Sequence, residues 1–61
     1  MAHFVDEYYV REILHDMPAG LNHQQFRERC QPDLNAGYGQ EVDEAERRYF
    51  RRASASERTR H

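Results

Sequence analysis

A single cysteine in a chain of 61 residues is the feature that most constrains how this sequence can fold. A domain of this size buries only about 60% of the surface that its unfolded chain exposes, so its core barely offsets the entropy lost on folding. Such chains are usually stabilised by disulfides, by a metal ion or by a partner. Cys30 alone cannot form an intrachain disulfide. The sequence therefore predicts at most one domain and favours support by a partner chain.

Two helices are predicted in the first half of the chain. The first, residues 4–17, carries apolar side chains that recur every three or four residues, and it must end before Pro18. The second, residues 22–31, begins at Asn22, a preferred N-cap residue, with Gln25 at the spacing of a capping box. This helix is short, so tertiary packing must stabilise it.

The second half is predicted to contain one more helix and a tail. Residues 32–39 are rich in Pro, Asn and Gly and read as a loop, and residues 40–52 read as a helix with one apolar face. Residues 54–61 have no apolar periodicity. We therefore expect an all-α fold: a small two- or three-helix domain over residues 1–53, followed by a disordered, Arg-rich C-terminal tail at 54–61.

Charge is distributed unevenly along the chain. Residues 1–46 have a formal charge of −7, and residues 47–61 have +5, so the net charge of −2 conceals an acidic body and a basic end. Two of the arginines are expected to form i,i+4 pairs within the third helix, Asp43 with Arg47 and Glu44 with Arg48. The candidate contacts with an acidic partner or with nucleic acid are Arg48, Arg51, Arg52, Arg58 and Arg60. Nucleic acid is the weaker alternative because the whole molecule is acidic.

The first helix has more apolar surface than so small a chain can cover. Its apolar stripe spans about half of the circumference, and Phe4 and Tyr8 lie outside it. A helix of this kind is central in a core or shared with a partner, and exposed aromatic side chains are typical of an interface. The expected protein interface, in a homodimer or in a heterocomplex, comprises Phe4, Tyr8, Tyr9, Arg11 and Glu12.

No motif of catalysis or of cofactor binding is present. His23 and Cys30 are seven residues apart, about 10 Å along a helix, which is too far for one zinc ion, and no paired Cys or His motif occurs. The sequence around Tyr38 lacks the Lys-Ser/Thr of a phosphate-binding loop. The sequence therefore suggests no catalytic residues, no metal ligands and no cofactor. Cys30 is expected to be a small buried apolar residue.

These observations favour a binding protein over an enzyme. The longest apolar run, Tyr8–Val10, is far too short for a membrane span, and no secretory signal is visible, so a cytoplasmic location is expected. The function that fits best is that of a small accessory or regulatory module that binds a larger protein, as an inhibitor or a modulator, of a kind common among bacterial and phage regulators. The alternatives are a small nucleic-acid-associated regulator that uses its Arg-rich C-terminal helix and a structural subunit of an enzyme complex.

Overall fold

The computed structural model describes the backbone of residues 4–59 and the side chains of residues 4–51. It contains four helices: α1 (Glu7–His15), α2 (His23–Arg29), α3 (Gln31–Asn35) and α4 (Gly39–Thr59). No strand is present in this part of the chain, which confirms the predicted all-α class. The difference from the prediction lies in the number of helices and in their bounds.

Helix α1 is shorter at both ends than the predicted 4–17. Its N-cap is Asp6, whose side chain accepts a hydrogen bond of 3.2 Å from the backbone amide of Tyr9. Aspartate is among the best N-cap residues, so the helix begins there rather than at the first apolar residue. After the helix ends at His15, Gly20 adopts a φ of +86°, a conformation that favours glycine.

Helix α2 begins where the sequence predicts. Asn22 is the N-cap, and its side chain accepts a hydrogen bond of 2.8 Å from the amide of Gln25. The Gln25 side chain accepts one of 2.9 Å from the amide of Asn22, which completes the capping box. The reciprocal pair satisfies two amides that would otherwise lack partners at the helix start. The N-terminal prediction is confirmed, and α2 ends at Arg29.

The predicted loop at residues 32–39 is wrong in its first half, because α3 begins at Gln31. Pro32 lies in the first turn of α3. Proline is tolerated there, since the amide that it lacks has no partner in the first turn of any helix. Pro32 therefore belongs to the start of a helix rather than to a loop, and the turn that follows α3 contains Gly37 with a φ of +95°.

Helix α4 extends to Thr59, beyond the predicted end at residue 52 and into the predicted tail at 54–61. No proline or glycine occurs after Gly39, so nothing in the local sequence breaks the helix. Residues 60 and 61 of that tail lie outside the described part of the chain. Although 21 residues of α-helix are long enough to cross a bilayer, α4 is polar, and none of the described helices is both long and apolar enough to do so.

The core lies where α1 and α2 pack against α4. Its buried apolar side chains come from α1, from α2 and its C-cap, and from α4: Val10, Ile13, Phe26, Cys30, Val42 and Ala45. The remaining apolar residues of the α1 stripe are partly buried against this core. Most of the apolar stripe of α1 is thus covered by other residues of the same chain. Burial of Cys30 confirms its expected role as a small apolar residue.

Tyr49 attaches the α1–α2 connection to α4. Its hydroxyl donates a hydrogen bond of 2.6 Å to the carbonyl of Pro18 and accepts one of 3.1 Å from the amide of Leu21. Its ring packs against Phe26, with ring centroids 5.0 Å apart. One side chain of α4 therefore contacts both the core and the loop, and this contact attaches the connection between α1 and α2 to α4.

Candidate protein interface

The two most exposed large apolar side chains lie at the start of α1: Tyr8 in its first turn and Phe4 two residues before its N-cap, Asp6. Phe4 is 88% exposed and Tyr8 is 75% exposed. Every other large apolar side chain among residues 4–51 is partly or fully buried. The prediction that these two aromatic residues lie outside the core is confirmed. Exposed aromatic rings are typical of a surface that contacts another molecule.

Two opposite charges lie beside these rings. Arg11 and Glu12 are both exposed, and neither forms an ion pair or a side-chain hydrogen bond with another described residue. We refer to Phe4, Tyr8, Arg11 and Glu12 as the α1 outer face. This face therefore combines apolar rings with charged groups that have no ion-pair partner within the described chain.

Tyr9, the remaining residue of the predicted interface, is directed into the chain instead. Its ring stacks on Tyr38 with centroids 3.8 Å apart, and its hydroxyl donates a short hydrogen bond to Asp33. Asp33 is 24 residues away in sequence, so no local pattern could identify it as the partner. Tyr9 thus holds α1 against α3 and the turn after it. It stabilises the position of the helix that carries the outer face.

A groove of about 540 Å³ lies between α1 and the segment formed by α2 and α3. Tyr8 and Glu12 form part of one wall, and Arg29 and Asp33 form part of the other. The groove continues the α1 outer face toward the rest of the molecule. Neither Arg29 nor Asp33 is among the predicted interface residues, because their position beside α1 depends on how α2 and α3 pack against it.

The acidic residues of α4 are mostly paired within the chain, in contrast to the α1 outer face. Glu44 accepts hydrogen bonds from Arg47 and Arg48, which confirms the predicted pair of Glu44 with Arg48. Asp43 contacts Arg27 of α2 at 3.2 Å rather than the predicted Arg47. The hydrogen bond from Arg48 lowers the pKa of Glu44 below its ordinary value.

Of the predicted Arg-rich contact residues, Arg48 and Arg51 have described side chains, and both line a cleft between α1 and α4. The Arg48 guanidinium donates to both carboxylate oxygens of Glu7 on α1, and this contact lowers the pKa of Glu7. Arg51 is exposed. The remaining side chains, those of Arg52, Arg58 and Arg60, lie outside the described part. Arg48 therefore contributes to the packing of α1 on α4.

His23 and Cys30, the two residues considered above as zinc ligands, have different surroundings. His23 lies 2.7 Å from a carboxylate oxygen of Glu46 and stacks on Phe50 with centroids 3.7 Å apart. Cys30 is buried, and burial raises the pKa of its thiol, which disfavours the nucleophilic thiolate. Among the described residues, no group of three or more His, Cys, Asp or Glu side chains is arranged to hold a metal ion.

The Tyr9 hydroxyl gives a testable pH dependence. Its hydrogen bond to Asp33 raises the pKa of Tyr9 to about 12. Tyrosine in an unfolded chain ionises near pH 10, so between about pH 10 and 12 the unfolded state releases a proton that the folded state keeps. The resulting stabilisation is complete below pH 10 and is lost as the pH rises toward 12. We therefore expect the melting temperature of the wild type to fall with alkaline pH more steeply than that of Tyr9→Phe.

Tyr9→Phe is the suitable variant because it keeps the ring that stacks on Tyr38 and removes only the hydroxyl. The measurement is a series of thermal melts by circular dichroism from about pH 8 to pH 11. Parallel curves for the two proteins would contradict a hydrogen bond between Tyr9 and Asp33 in solution.

Comparison with known proteins identifies no relative of this chain. The sequence matches no protein-family model, no curated protein and no solved structure. The functional inference is therefore drawn from the α1 outer face, from the groove beside it and from the charges of the chain.

Proposed function

We propose that this chain is a small, non-catalytic accessory or regulatory module that binds another protein through the α1 outer face. The observation that carries the proposal is the exposure of Phe4 and Tyr8 beside Arg11 and Glu12. Burial of one such ring is worth on the order of 2 kcal/mol, a substantial contribution to an interface. The two flanking charges supply specificity, because a correct partner must present the complementary charges.

The internal use of the other aromatic residues supports this proposal. Tyr9 and Tyr38 stack on each other, and Phe26, Tyr49 and Phe50 pack together within the core region. A chain with so little capacity for burial gains stability from every ring that it covers. Two rings left in solvent are therefore best explained by a partner that covers them.

The partner is proposed to be a second copy of the chain or a larger protein whose activity the module modulates. We propose a cytoplasmic setting, in which an unpaired cysteine such as Cys30 remains reduced. A structural subunit of an enzyme complex would use the same surface. A nucleic-acid-associated regulator is favoured less, because Arg48 is already paired with Glu7 and Glu44 and the chain carries a net charge of −2.

Tyr8→Glu tests the proposal. Tyr8 is the second residue of α1, where a negative charge interacts favourably with the helix dipole, so the variant is expected to fold. It places a charge in the middle of the α1 outer face and should abolish association. Gln31→Glu is the matched control, since it adds the same charge in the first turn of α3, at an exposed position outside the face.

The measurement is sedimentation velocity of the three proteins over a wide range of concentration. If the partner is a second copy, the wild type and Gln31→Glu should form dimers that Tyr8→Glu does not form, and the melting temperature of the wild type should rise with concentration. If the wild type is a monomer throughout, the partner is a different protein, and stoichiometric co-purification from the source cells should depend on Tyr8. Failure of both assays to distinguish Tyr8→Glu from the control would contradict the proposed function.

A further inference from the structure

A second surface, on the other flank of α1, has a different chemistry. A cleft of about 380 Å³ lies between α1 and α4. Its floor includes Leu14, and every polar side chain that lines it is an arginine or a histidine. We call this the basic cleft, and its polar residues are Arg11 and His15 of α1 with Arg48 and Arg51 of α4. No acidic side chain lines it.

One arginine of the basic cleft is held in place by other residues. Arg48 donates through both terminal nitrogens to Glu7 and through its Nε to Glu44, the latter at 2.7 Å. Three of the five N–H donors of a guanidinium are used in this way, and two remain. Arg48 thus forms a fixed wall, while its charge is largely compensated by the two carboxylates.

The other two arginines supply charge that no described carboxylate neutralises by direct contact, although Arg11 is also attracted electrostatically to Glu7. Arg11 and Arg51 form no ion pair or side-chain hydrogen bond with any described residue, although they face the same cleft from different helices. Two guanidinium groups around one depression attract an anion and offer it planar pairs of donors. The apolar side chain of Leu14 beside them would contact the carbon atoms that carry the anionic group.

We propose that the basic cleft binds a carboxylate-bearing segment of a protein partner. The ligand is a protein segment rather than a nucleic acid because carboxylates lie next to the cleft, although none lines it. They belong to Glu7 of α1 and Glu44 of α4, which contact Arg48. Nucleic acid carries a phosphate every ~3.4 Å along each strand, and a strand laid along α4 would meet Glu44 and Asp43 soon after Arg51. One or two carboxylates from a peptide fit between Arg11 and Arg51 and avoid this repulsion.

This inference is separate from the proposed function except that Arg11 borders both surfaces. It requires neither Phe4 nor Tyr8, and the partner that covers those rings need not be the protein that fills the cleft. The two claims can therefore fail independently, and Tyr8→Ala distinguishes them because that substitution changes no charge.

An NMR titration of the ¹⁵N-labelled full chain at low ionic strength, with an end-capped octapeptide that carries two adjacent glutamates among neutral residues, tests the proposal. The backbone amides near Arg11 and Arg51, and the Nε signals of these arginines, should shift together. Arg11→Gln and Arg51→Gln should each weaken the interaction about threefold, and the double variant about tenfold, as expected for exposed ion pairs. The variants remove charge without adding any, so the fold should be retained.

Arg29→Gln is the matched control, because it removes the same charge from an exposed arginine of α2 that does not line the cleft. Binding of the diglutamate peptide should be unchanged in Arg29→Gln and in Tyr8→Ala. Three results would overturn the proposal: no shifts in the wild type, an equal loss of affinity in Arg29→Gln, or tighter binding of an eight-nucleotide oligothymidylate to the same residues. The last result would assign the cleft to nucleic acid.

Discussion

Phe26→Ala is expected to unfold most of the chain at physiological temperature. Phe26 is the largest fully buried side chain, and its ring contacts Tyr49 and Phe50 with centroids 5.0 and 5.9 Å away. Truncation of a buried phenylalanine to alanine costs about 3–5 kcal/mol, through lost burial and through the cavity that remains. Domains of this length have roughly 3–9 kcal/mol of stability in total. The loss should therefore consume most of the free energy of unfolding.

The measurement is far-UV circular dichroism during urea denaturation, with Phe26→Leu as the control. Leucine keeps an apolar side chain and leaves a smaller cavity, so this variant should remain folded with a reduced midpoint. If Phe26→Ala unfolds at the wild-type midpoint, Phe26 does not hold α2 against α4 in solution, and the arrangement of the core would have to be revised.

The parts of the fold that the sequence predicts correctly depend on residues close to one another in the chain. The α2 start needs only Asn22 and Gln25, three residues apart, and the capping box forms as predicted. Pro32 has two possible meanings, since a proline both ends one helix and fits the first turn of another. The sequence does not distinguish these cases, because the choice depends on how Leu34 packs against the core.

The same distinction applies to the candidate site. The exposure of Tyr8 follows from its angular position on the helix, and Arg11 and Glu12 flank it for the same reason. Tyr9 turns inward because its hydroxyl donates to Asp33 and its ring stacks on Tyr38. Both partners are distant in sequence. The pairing of Arg48 with Glu7 spans 41 residues, whereas its pairing with Glu44 spans four. Helical periodicity reveals only the second of these contacts.

Glu41→Ala should destabilise the chain and loosen the start of α1 together. Glu41 is the one buried charged side chain among residues 4–51, with 8% exposure. Its carboxylate accepts a hydrogen bond of 2.8 Å from the backbone amide of Asp6. Asp6 caps α1 and lies between Phe4 and Tyr8 in sequence. Loss of the acceptor leaves a part-buried amide without a partner, which costs about 1–3 kcal/mol.

Glu41→Gln separates the hydrogen bond from the charge. The glutamine amide oxygen can still accept from Asp6, so this variant should retain most of the stability that Glu41→Ala loses. Thermal melts give the stabilities, and amide exchange at Asp6 gives the local effect, with faster exchange expected only in the alanine variant. If Asp6 exchanges equally in all three proteins, α4 does not anchor the N-terminus of α1. If the prediction holds, Glu41→Ala should also weaken any association that depends on Tyr8, because the α1 outer face is then ordered less well before a partner arrives.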